Sequence, residues 1–93
     1  MKVLQITANQ IEAAIVQEAL DLGLEAPKAN ALKENILVTL EQKNRQNCID
    51  WQKVITDSGC TLSEMRLSKL TRIFPNKSVE VIAERLGTWL AEF

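Results

Sequence analysis

The sequence predicts an all-α fold of four to five short helices in one compact bundle. Three observations point there. Apolar residues recur at spacings of three and four over most of the chain, capping residues sit where those runs begin, and the glycines and prolines are few enough to act as stops. The 93 residues carry 46% hydrophobic and 25% charged side chains with a net charge of −1, the balance of a chain that collapses to a globule. A single domain over 1–93 follows from that length, with an N-terminal helix in 1–26, a helix-turn-helix-like unit in 48–74 and an amphipathic helix in 76–93.

The first helix is expected to open at "ITANQI". Thr7 as N-cap and Gln10 three residues later form a capping box, with Ile6 and Ile11 as a hydrophobic staple. Gly23 closes it. The preceding "MKVLQI" has strand-like composition but no partner strand in view. The apolar sector of this helix, Ile11, Ile15, Val16, Ala19, Leu20 and Leu22, is wide enough for two neighbours, one of which would be another subunit.

A second helix starts near Pro27, with Ala29, Leu32, Ile36 and Leu40 inward and Val38 roughly opposite; the β-prone "NILVTL" leaves a strand as the lesser alternative. A third runs from about Cys48 or Asp50, ends before Gly59 and contributes Trp51, Val54 and Ile55. A fourth begins at Thr61, where Glu64 repeats the capping-box spacing, and Pro75 stops it. The fifth, capped by Ser78 or Asn76, places Val79, Ile82, Leu86, Trp89, Leu90 and Phe93 on one stripe.

Enzyme chemistry is not expected. Histidine and tyrosine are absent, and the three glycines form no phosphate loop. Two cysteines without histidine do not make a structural zinc site, and no cofactor is expected. Cys48 and Cys60 read as reduced, partly buried small hydrophobes. No uninterrupted apolar run suits a signal peptide or a bilayer span, so a cytoplasmic chain without membrane contact is expected.

Charge is unevenly spread. Residues 1–27 carry −3, whereas residues 61–77 carry +3 through Arg66, Lys69, Arg72 and Lys77 against Glu64. The stretch "DSGCTLSEMRLSKLTR" therefore invites a test as a helix-turn-helix. With Gly59 in a tight turn, Met65 and Ser68 would face the core while Leu62, Leu67 and Leu70 would face DNA, and three leucines on a recognition surface rule that register out. A turn about two residues longer puts Leu62, Leu67, Leu70, Ile73 and Phe74 inside, with Arg66 snorkelling from the apolar sector. It offers Ser63, Glu64, Met65, Ser68, Lys69 and Arg72 outward.

From about Ala31 to Gly87 the chain resembles the lysogeny-promoting transcription activators of lambdoid phages. The likeness rests on "ALKENIL", on a helix ending in glycine, on a polar helix ending in "FP", and on "KSVEVIAERLG". It needs an insertion after Gly59, lacks that family's aromatic-rich second helix and leaves the first 25 residues without a counterpart. It implies a phage-type regulator that binds promoter DNA as a helical oligomer.

Two functions are carried forward. The first is a small DNA-binding transcriptional regulator, a homodimer or larger. It would contact double-stranded DNA through Ser63, Glu64, Ser68, Lys69, Arg72 and Lys77, and a second copy through Ile15, Val16, Leu20, Trp89 and Phe93. The second is a protein-binding inhibitor or adaptor, antitoxin-like, that engages a host protein through acidic helix one or its wide apolar stripe; the pI near 5.4 favours it. A helical bundle without a ligand stands behind both.

Overall fold

A computed structural model describes the backbone of residues 2–92 and the side chains of residues 9–92. Five helices follow one another: α1 (Lys2–Asp21), α2 (Ala26–Gln42), α3 (Trp51–Asp57), α4 (Lys69–Ile73) and α5 (Val79–Ala91). They pack as a small all-α bundle of 33 × 26 × 20 Å. α1 lies against both α2 and α5, α2 against α3, and α4 against α5. Within this chain the wide stripe of α1 thus meets two helices, α2 and α5.

Helix α1 begins at Lys2, well before Thr7. Thr7 is therefore a helical residue rather than an N-cap, and "VLQI" is helix rather than strand. The proposed staple and box involve Ile6 and Thr7, whose side chains lie outside the described residues. At its other end α1 closes as expected. Gly23, at φ 93°, donates its N–H to the Leu20 carbonyl while the Leu24 N–H reaches Ala19. These two bonds cover carbonyls that the last helical turn would otherwise leave bare.

Helix α2 takes Pro27 in its first turn and buries Ala29, Leu32 and Ile36, while Val38 is exposed. "NILVTL" is helical throughout, its Ile36 continuing at helical spacing the buried row begun by Ala29 and Leu32. Asp50 caps α3 by accepting from the Lys53 N–H, and Ser78 caps α5 by accepting from the Val81 N–H. Gly59 (φ 79°) and Cys60 end α3 with the same pair of bonds that end α1.

The core gathers Ile15, Leu32, Ile36, Ile55, Met65, Leu70, Phe74, Ile82 and Leu86, all essentially without solvent contact. Trp51 stacks on Phe74 with ring centroids 4.6 Å apart. One buried polar link joins α2 to α3: Asn35 donates to the Ser58 hydroxyl at 2.8 Å, and that hydroxyl donates to the Val54 carbonyl at 2.7 Å. A single antiparallel bridge between Cys48 and Ser78 sews the α2–α3 connection to the start of α5. Cys48 is exposed there and Cys60 is buried, both as free thiols, so only Cys60 is the small hydrophobe expected.

The largest departure lies at residues 61–74. In place of one helix there is a single hydrogen-bonded turn, then a break at Ser68, then the five-residue α4. The Ser68 hydroxyl accepts from the Leu70 N–H, so it starts a new helix instead of continuing the old one. The break rotates the two halves relative to each other. Met65 and Ser68 go inside, Leu62 and Leu67 go outside, and Leu70 returns to the core.

Candidate interaction surface

The capping box at the start of the turn forms in full. The Thr61 N–H reaches the Glu64 carboxylate at 2.8 Å, and the Glu64 N–H reaches the Thr61 hydroxyl at 3.1 Å. Lys28 of α2 pairs with the same carboxylate at 3.5 Å. The Thr61 N–H, with Lys28 adding to it against the effect of desolvation, holds the Glu64 pKa below the ordinary glutamate value. Burial pushes the neighbouring Cys60 thiol up and the Glu64 charge adds to this, while Lys28 opposes it. Burial and the Glu64 charge both disfavour its thiolate, so Cys60, 4% exposed, is poorly placed to act as a nucleophile.

Farther along, the Met65 N–H bonds to the Thr61 carbonyl and the Ser68 N–H to the Met65 carbonyl, and the Thr71 hydroxyl also donates to the Met65 carbonyl. The turn is therefore tied down at both ends. On it Leu67 is 85% exposed and Leu62 47% exposed. Arg66 is exposed too, since the apolar sector it was expected to cross exists only in an unbroken helix.

The six residues assigned to DNA do not form one face. Ser63 is exposed, and Lys69 and Arg72 are exposed on α4. Glu64 is engaged as cap and ion-pair partner. Ser68 is 1% exposed and must be withdrawn from any contact surface, because capping α4 requires it to face inward. Met65, also read as outward, is fully buried. Lys77 lies past Pro75, its carbonyl accepting from the Ile49 N–H beside the Cys48–Ser78 bridge. The helix meant to read the groove has five residues, about 7.5 Å of axis.

The subunit-contact set divides as well. Ile15 and Trp89 are core residues, because α2 and α5 already cover the inner face of α1 and α4 covers that of α5. Val16 is half-buried and Leu20 is 41% exposed. Phe93 lies outside the described residues.

One grouping escaped the sequence reading. Lys69, Arg72 and Ile73 of α4 meet Arg85, Thr88 and Trp89 of α5, with Glu92 beyond, around an open hollow of ≈ 320 Å³. The two ion pairs of the described residues, Lys28–Glu64 and Arg45–Glu80, use none of its three cations. Arg85 sits three residues before Thr88 on one side of α5, a spacing that marks a shared face but says nothing of α4 alongside.

Among the described residues no three His, Cys, Asp or Glu side chains group as metal ligands would, and no helix is long and apolar enough to cross a membrane. No protein-family model, no characterised protein and no solved structure matches the chain.

Proposed function

We propose that this chain is a protein-binding module whose anchor is Leu67. The observation that carries this reading is the posture of the turn between Thr61 and Ser68. Leu67 stands 85% in water while Met65 and Ser68, on either side of it, are sealed in the core. A leucine left in water forgoes roughly 2 kcal/mol relative to full burial. Here it is held out by a hydrogen-bonded turn, so a partner that covers it meets little ordering cost. Leu62 adds a second apolar side chain on the same segment, and Lys28, Glu64 and Arg66 supply polar neighbours, the composition of a small interface centre with its rim.

Duplex DNA is the second reading, supported by the exposure of Lys69 and Arg72, neither of which is ion-paired among the described residues. It ranks behind because α4 is too short to lie along a major groove and the body is net acidic.

The test is affinity purification from the native host of the wild-type chain and of Leu67→Asp, with thermal unfolding of both and light scattering on the eluates. A protein that elutes in stoichiometric amount with the wild type and is lost from the variant, at unchanged thermal midpoint, is the expected result. An identical partner set for the two proteins defeats the assignment of Leu67. A salt-sensitive shift of duplex DNA that disappears in Lys69→Ala and Arg72→Ala would install the second reading instead.

A further inference from the structure

The hollow between α4 and α5 joins two properties that seldom serve one purpose on a bare surface. It is lined by Ile73 and Trp89, 9% and 4% exposed, and by the three cations Lys69, Arg72 and Arg85. Three like charges around one depression repel one another and raise the local positive potential. Among the described residues lining the hollow, the Glu92 carboxylate opposes them.

We propose that this hollow docks an acidic segment of a partner protein. An aliphatic or aromatic side chain of that segment seats against Ile73 and Trp89, and flanking Asp or Glu carboxylates meet Lys69, Arg72 and Arg85. The inference rests on the protein-binding reading above and adds the chemistry of the partner. The volume of ≈ 320 Å³ is at the small end of ligand-pocket sizes, suited to one side chain and its immediate flanks. The two arginines present forked donors that match carboxylates, and approach from α4 on one side and α5 on the other.

A line of DNA phosphates fits less well. It gains nothing from an apolar lining, and it would run past Glu92 and past Glu18, whose carboxylate sits 3.4 Å from the Lys69 backbone N–H. An acidic peptide meets Glu92 as well, but it can set an uncharged residue against it, which a phosphate line cannot.

The experiment is fluorescence anisotropy on the full chain with a labelled peptide in which glutamates flank a central leucine–phenylalanine pair. A peptide with the glutamates replaced by glutamines, one with the central pair replaced by alanines, and a labelled random-sequence duplex complete the set. The acidic peptide should bind, weaken with salt, and bind about tenfold more weakly to Arg85→Glu and to Arg72→Glu, since each reversal turns an attraction into a repulsion. Both altered peptides should bind more weakly than the parent. Lys53→Glu, a charge reversal on α3 outside the hollow, should leave peptide binding unchanged, while the purification with Leu67→Asp reads the Leu67 anchor separately. Thermal unfolding verifies that the variants are folded. Failure of the acidic peptide to bind, indifference to both charge reversals, or tighter binding of the duplex with the same sensitivity overturns the proposal.

Discussion

Met65 and Leu67 are two positions apart, similar in size, and meet opposite surroundings. Met65 is packed without solvent contact while Leu67 is the most exposed large apolar side chain of the described residues. Met65→Ala should therefore lower stability by about 2–4 kcal/mol in urea unfolding. Leu67→Ala should stay within about 0.5 kcal/mol of the wild type. Equal costs would mean that the turn is wound the other way. Glu64 carries a pH signature. Its folded pKa lies below the ordinary value, so the carboxylate stabilises the fold above the unfolded-state pKa, and that contribution fades as pH falls through the folded one. Glu64→Gln should accordingly flatten the acid side of a plot of urea midpoint against pH while lowering it at neutrality. At this scale the outward placement of Lys69 and Arg72 was readable from sequence, because both stay outward whichever way the preceding turn is wound. The inward placement of Ser68 was not, since a helical wheel assigns one phase to the whole stretch and has no means of resetting it.

The same reset explains which elements were readable. α2, α3 and α5 each follow a single hydrophobic phase from cap to stop, and the structure keeps them. α1 keeps its phase and its glycine stop but starts earlier, because "KVLQI" consists of residues that a helix accommodates and the box at Thr7 marks only one of two possible starts. The stretch from Thr61 to Phe74 contains two start signals, Thr61 and Ser68, and only the first has the paired glutamate that makes such a signal easy to recognise. The hollow rim was partly readable: two of its cations lie on α4, but Arg85 joins them only through packing of α4 on α5, which no local pattern encodes. The glycines offer a test at this scale. Gly87 lies inside α5, and a methyl group built there meets nothing within 4 Å. Gly87→Ala should raise stability by about 0.5–1 kcal/mol through helix propensity alone. Gly59 also has open space around it but sits at φ 79°, so Gly59→Ala should cost about 1–2 kcal/mol. Calorimetric unfolding of the pair should give shifts of opposite sign.

Across the whole molecule, α1 makes the spine on which the chain folds back, with α2 on one side and α5 on the other, so the early and late thirds of the sequence share one core. A domain of this size has a small margin of stability, and a partner that binds only the folded form adds to it by mass action. The back-to-back arrangement of Met65 and Leu67 gives that addition an address. The amides of Met65, Arg66 and Ser68 are all bonded to carbonyls within the same turn, so they open together when the turn swings away from the core. A ligand covering Leu67 must hold that turn closed. Deuterium uptake at these three amides is expected to slow on complex formation, ahead of any change at α2. Occupancy of the outer surface can then be timed from within, by the exchange of the turn's own amide protons.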